Sequence, residues 1–326
     1  MDVEFLVSDS SKKKVYLPAV REGIEWSTQR RGAPGKLTFQ VVHDDLVCLP
    51  EGAAVRLKVD GAPVFFGFLF AKRQDKDGMI RLTAYDQLRY LNNKDTYVYG
   101  NKTASQFLKM LAADFKLQTG EIEDTGFVIA SRIEENTSLF DMVENALDLT
   151  LKNRGEMYVL YDDFGKLALK NISSMKVGKA GAYLLMDEET GENFEYASEI
   201  DSNTYNKVKL TYDNEKTGKR EVYIAQDGGH INQWGVLQYY GTLQEGEDGQ
   251  AKADALLKLY NSRTRNLKIT CAVGDVRVRA GSMIAVKLNL DGVEVKNFML
   301  VEKARHVFYL DRHTMELTLR GGEFVA

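Results

Sequence analysis

The sequence predicts a mainly β protein in which two β-rich units flank a small α+β unit. Three observations carry the prediction. Residues 1–95 and 199–326 alternate apolar and polar side chains in short runs separated by glycine-containing turns, the period of two that a half-buried strand requires. Between about residues 101 and 154 the apolar period lengthens to that of an amphipathic helix. Four prolines in 326 residues, with 44% apolar content, exclude a linker-dominated chain and supply enough apolar surface for folded cores.

The first unit, residues 1–95, reads as strands joined by tight turns. "KLTFQVV" alternates, and "AVRLKVDGAPVFFGFLFAKRQDKDGMIRLTAYD" holds two hairpins that turn at Asp60-Gly61 and Asp77-Gly78, since glycine adopts positive φ without strain. "YDQLRYLNN" then gives a brief helical turn. The second unit, residues 96–198, opens with "NKTASQFLKMLAADFKLQTG". There Thr103 and Gln106 form a capping-box pair, Phe107, Leu108, Leu111, Ala112 and Phe115 an apolar stripe, and Gly120 a stop. "TSLFDMVENALDLTLKNRG" predicts a second helix capped by Thr137 or Ser138, and "EMYVLYDDFGKLALKNI" a hairpin turning at "DDFG". The third unit, residues 199–326, returns to alternating strands, with one helix over about 250–265 and further turns at Gly274, Gly281 and Asp291-Gly292.

The closing stretch "FMLVEKARHVFYLDRHTMELTLRGG" brings His306 and His313 together with Glu302, Asp311 and Glu316, residue types that ligate metals or relay protons. Strict alternation puts Phe298, Leu300, Glu302, Ala304 and His306 on one face, and His313 in or beside a solvated turn. No third His or Cys stands near, so a structural hairpin is expected and no metal site. Cys48 and Cys271 match no ligand pattern and read as buried free thiols.

Net charge is −4 and unevenly spread: residues 1–95 carry 15 Lys+Arg against 13 Asp+Glu, residues 96–199 carry 10 against 18, and residues 200–326 carry 18 against 16. The middle is acidic, and "SKKKVY" reads as a solvated strand edge, so sequence-specific nucleic-acid binding is not expected. "MDVEFLVSDSSKKK" lacks a secretory signal pattern and no apolar run reaches the length of a membrane helix, so a chain made in the cytoplasm, without membrane insertion, is expected.

The acidic stretches "DEETGE" (187–192) and "EGEDGQ" (245–250) lack the alternating oxygen ladder of a calcium loop and read as solvated loops. "QDGGHINQWGVLQYY" gathers His230, Trp234, Tyr239 and Tyr240, an aromatic group that either packs a connection or binds sugar. Acyl, nucleotide and hydride chemistries lack their loops, GxSxG, GxxxxGK[ST] and GxGxxG. A glycosidase needs only two facing carboxylates, which leaves a cell-wall hydrolase as one alternative and a carbohydrate-binding β module using Trp234 and Tyr239 as another. No catalytic, cofactor or metal residue is assigned.

The last unit, "AKADALLKLYNSRTRNLKITCAVGDVRVRAGSMIAVKLN" followed by the closing hairpin, resembles the baseplate hub family of contractile phage tails. That family includes the late control protein D group, the hub part of type VI secretion spikes, and the XkdQ/YqbQ-like hubs of Gram-positive prophages and tail-like bacteriocins. The shared pattern is helix, strand, a turn bracketed by Gly274 and Gly281, and a strand ending near a histidine that leads through a polar bend into a final "LTL" strand. "PVFFGFLFAKRQDKDGMIRLTAYDQLRYL" is similar to the family's first-unit signature. The resemblance implies a non-enzymatic assembly protein without cofactor: two tube-type β-barrel domains flanking the α+β insert, in a homotrimer that adapts a sixfold tail tube to a threefold spike. Its implied partners are the tail tube protein, the central spike, other baseplate proteins and the tape-measure protein, in a phage tail or tail-like particle whose channel passes DNA where there is a genome to deliver.

Overall fold

The computed structural model describes residues 1–9, 13–21, 23–42, 49–76, 78–179, 181–214, 218–243, 247–290 and 293–321. The protein is mainly β, and no helix among the described residues is long and apolar enough to cross a membrane. Cys48 and the Asp291-Gly292 turn fall outside the described residues, whereas Cys271, expected buried, is exposed at a φ of 53°.

A 13-stranded sheet organises the molecule. Its first part is built from Val3–Asp9, Lys14–Tyr16, Ile24–Gln29, Lys36–Val42, Ala54–Val59, Ala62–Gln74 and Met79–Tyr85. Alternation drives each strand onto one core: Leu37, Phe39 and Val41 from Lys36–Val42 meet Val55, Leu57 and Val59 from Ala54–Val59, all buried. Each such aliphatic side chain contributes about 1.5–3 kcal/mol by leaving water. Asp60 and Gly61, both at positive φ, close the hairpin between Ala54–Val59 and Ala62–Gln74, and Gly78 lies at φ 77° before Met79–Tyr85.

The second part comprises Leu185–Met186, Asn193–Glu199, Thr264–Val273, Met283–Leu290, Val293–Phe308 and His313–Gly321 around a core that includes Ile269, Val286, Met299 and Leu317. Strand Val293–Phe308 joins the parts. Its first half pairs with Met283–Leu290, its second half with Ile24–Gln29 and, along the other edge, with His313–Gly321. A bulge between Val301 and Lys303 breaks the strict alternation expected of this strand. Ala304 therefore joins the row of Met299 and Val301 instead of sharing a face with Leu300, and Phe308 reaches the core of the first part.

The middle of the chain supplies helix α1 (Ala104–Asp114), helix α2 (Leu139–Arg154), the ribbon Lys94–Thr103 with Val128–Ser138, and a sheet of Tyr158–Asp162, Leu167–Asn171 and Thr119–Ile122. The Thr103/Gln106 capping box starts α1, and Ser138 caps α2, which ends at Gly155 in the left-handed conformation. Helix α1 stops at Asp114, short of Gly120. Lys116 takes the positive φ there, and Gly120 lies inside a strand.

Strand pairing departs from the expected units in two ways. Leu185–Met186 and Asn193–Glu199, which straddles the expected limit at 198, join the main sheet, where Phe194 and Tyr196 pack on the second core. Within 199–326, Lys207–Asn214, Lys219–Gln226 and Gln238–Thr242 form a separate sheet covered by helix α4 (Gly249–Tyr260), preceded by the short helix α3 (Gly228–Trp234).

Candidate functional site

The two histidines meet across the last hairpin, whose register pairs Phe308 with His313 and His306 with Met315. His306 is fully buried, stacked on Trp26 at 4.8 Å between ring centroids, and its Nε2 lies 2.9 Å from the Val278 carbonyl oxygen. A carbonyl only accepts, so Nε2–H of His306 donates to it, and the bare Nδ1 accepts from Nε2–H of His313 at 2.9 Å. Burial, reinforced by the neighbouring ring, pushes His306 down to about 3, and burial pushes His313 down to about 4. His313 is thus half-buried against Phe308 rather than solvated in the turn, because the strand begins at His313 itself. Both His306 nitrogens are committed to hydrogen bonds, and no group of three or more His, Cys, Asp or Glu able to hold a metal occurs among the described residues.

Gly274 and Gly281 frame this hairpin. A Cβ on Gly274 would stand 2.1 Å from the His313 ring, and one on Gly281, at φ 95°, would stand 2.5 Å from Val159 Cγ1. Gly281 N–H donates to the Val301 carbonyl, so the backbone is drawn in where a side chain has no room.

Between these glycines, Arg279 reaches across the junction of all three parts of the chain. Its Nη2 donates to the Asp162 carbonyl oxygen at 2.7 Å, and its guanidinium lies 4.3 Å over the Tyr161 ring and 5.9 Å from that of Trp26. Asp86 caps the turn Gln87–Asn92 by accepting from Leu88 N–H, and its other oxygen accepts from Gly35 N–H at 2.8 Å. Asp162 accepts from Gly165 N–H at 2.7 Å. Burial lifts the Asp86 carboxyl well above its ordinary range, helped by Asp162 and opposed by Arg279. Burial likewise lifts Asp162 to about 6. Arg30 grips Glu302 through two hydrogen bonds of 2.7 and 3.0 Å, and Arg31 pairs with Glu144 and Asp148 of α2. These groups cap backbone and pair across parts of the fold, which is a locking arrangement. Sequence reasoning missed Arg279, Asp86 and Asp162, although the cap pattern in "YDQL" and the turn "DDFG" are visible signals.

The remaining candidates separate. Trp234 stacks on His230 at 3.9 Å, while Tyr239 packs with Tyr205 and Tyr260 in the core beneath α4. Tyr240 points to the opposite face and is exposed. The aromatics therefore form no shared sugar platform. Asp187 caps its own loop by accepting from Glu189 and Thr190 N–H, and Asp248 caps α4. A cleft of about 560 Å³ opens at the seam of the main sheet, lined among others by Lys36, Arg89, Lys268, Lys303, Arg305 and Glu316.

Comparison with known proteins bears on the fold. The prophage MuSo2 43 kDa tail protein from Shewanella oneidensis superimposes with a TM-score of 0.66 at 13% identity, over 97% of this chain and 98% of that one. The Escherichia coli c3393 protein, a type VI secretion component with structural similarity to the T4 tail proteins gp27 and gp5, gives 0.58 at 11%, over 99% and 78%. At the level of sequence, the phage-like element PBSX protein XkdQ of Bacillus subtilis (strain 168) is 30% identical over 325 residues, 96% of this chain and 95% of XkdQ. The YQBQ-like family model matches residues 24–320, a span that runs from strand Ile24–Gln29 into the last strand of the main sheet, and the chain belongs to that family.

Proposed function

We propose that this protein is a baseplate hub of a contractile phage tail or tail-like particle, a homotrimeric ring that adapts the sixfold tube to the threefold spike and surrounds the central channel. The observation that carries the reading is strand Val293–Phe308, which fuses two β units of one chain into a single sheet. Three such chains present six β units to a hexameric tube while keeping three chemically distinct repeats for a trimeric spike. The acidic middle, 10 Lys+Arg against 18 Asp+Glu, lies outside the ring and meets other baseplate proteins. Similarity to XkdQ of a phage-like element supports the setting, and the fold shared with a prophage tail protein supports the architecture.

In this reading the protein works by placement, without catalysis, after synthesis in the bacterial cytoplasm. Its neighbours are the tube protein, the spike, other baseplate proteins and the tape-measure protein. Cryo-electron microscopy of the assembled particle tests it: three copies per ring are expected, with residues 96–198 outside apart from the main-sheet strands Leu185–Met186 and Asn193–Glu199. Six or twelve copies, or the acidic region lining the channel, would overturn it.

A further inference from the structure

The longest strand path through the main sheet ends on two strands whose outer edges have no backbone partner among the described residues, Lys14–Tyr16 at one end and Asn193–Glu199 at the other. An open edge is a row of unpaired N–H and C=O groups, a template for strand addition. The two ends carry opposite charge. Lys13 and Lys14 stand exposed at the first, within the "SKKKVY" run, and Glu195 and Glu199 stand on the second, just after the acidic loop 187–192. None of these four side chains has an ion-pair partner among the described residues. The basic end also exposes Val15 (59%) and Leu17 (77%), apolar side chains that a soluble edge has no need to present.

We propose that the edge Lys14–Tyr16 of one copy pairs with the edge Asn193–Glu199 of the next, so that a second copy of this chain is the partner of each open end. The proposal rests on the ring reading above and names its subunit contact. Main-chain hydrogen bonds and burial of Val15 and Leu17 supply the adhesion, while Lys13 and Lys14 facing Glu195 and Glu199 select the unlike edge. Like edges repel, basic against basic and acidic against acidic, so two copies join head to tail and the contact closes when the rotation between copies closes.

Carbodiimide coupling of intact wild-type particles tests the contact directly. The expected result is a ladder up to a covalent trimer in which the peptide bearing Lys13 and Lys14 is joined to the peptide bearing Glu195 and Glu199. Charge reversal is the second arm. Lys13→Glu with Lys14→Glu, or Glu195→Lys with Glu199→Lys, should each lower incorporation into particles at least tenfold without changing the melting temperature of the purified chain. All four together restore unlike edges and should recover incorporation. Three copies per ring with no such coupled peptides, and single reversals that assemble like wild type, would overturn the edge contact and leave the ring standing. A copy number other than three would overturn the ring itself.

Discussion

Acid should weaken this protein through His306, and the size of the effect follows from its surroundings. The imidazole is fully buried, donates to the Val278 carbonyl and accepts from His313, so the folded state holds it neutral and depresses it to about 3 from its ordinary 6.5. The unfolded chain binds the proton first as pH falls. Stability is therefore complete above 6.5 and declines below it, continuing until the folded value near 3 is reached. At about 1.4 kcal/mol per pH unit, the loss between pH 6.5 and 5 is about 2 kcal/mol from His306 alone. Asp162 acts in the opposite sense: a carboxyl raised to about 6 costs stability at neutral pH and returns it on acidification. The wild-type pH profile thus mixes these two with the depressed His313 and the raised Asp86, and only a difference isolates His306. His306→Gln keeps a donor for Val278 and an acceptor for His313 but cannot titrate. Urea unfolding followed by the fluorescence of Trp26, which stacks on this ring, should show wild type losing about 2 kcal/mol more than the variant between pH 7.5 and 5. Equal losses in the two proteins would refute the buried, neutral assignment.

Other perturbations bear on the same junction. Gly281→Val forces a β-branched residue to positive φ and drives its Cβ into Val159, costing about 3 kcal/mol or more; calorimetry should show a lowered melting temperature, and an unchanged one would contradict the close approach. Arg279→Met removes the cation among Tyr161, Asp162 and Asp86, with an expected loss of about 3–5 kcal/mol in urea titration. Asp162→Asn keeps the Gly165 cap acceptor and removes a buried charge, so it should be close to neutral or stabilising at pH 7.5, with the advantage shrinking as pH falls through about 6. Metal analysis should find no stoichiometric zinc that His306→Ala removes, since both ring nitrogens are already hydrogen-bonded.

Local rules made much of the chain legible. The Thr103/Gln106 box and the Ser138 cap are contained within four residues of sequence, and the structure uses both. The hairpin at Asp60-Gly61 announces itself because that dipeptide combines a turn residue with free φ between two alternating runs. What failed to show depends on residues distant in sequence. His313 reads as a turn residue until Phe308 and Gly274 are seen around it, and the depth of His306 depends on Trp26 from the far end of the chain. The bulge at Glu302 coincides with the Arg30 grip, an interaction no periodicity reveals.

That bulge also bears on mechanics. Two domains joined by a linker move relative to one another unless a large interface stops them. Here the two β parts share strand Val293–Phe308, whose backbone bonds run without interruption from Met283–Leu290 to Ile24–Gln29. Their mutual orientation is consequently set by the twist of one sheet. Arg30 fixes the bulge to the first part, Arg31 fixes the first part to α2, and Arg279 ties the loop before Met283–Leu290 to the hairpin of the middle region. A force on one β part is then carried to the other through peptide hydrogen bonds, and to the middle region through the buried Arg279 and the half-exposed Arg31. Arg30→Ala should accordingly loosen more than its own ion pair. It leaves Glu302 half-buried without its bidentate partner, at a cost of about 3 kcal/mol. Hydrogen exchange should quicken at the amides of Ile24–Gln29 and of Val301 to Ala304 together, because one shared ladder holds both. Faster exchange confined to the Arg30 loop would show that the ladder holds without the grip and that the two parts are coupled by the sheet alone.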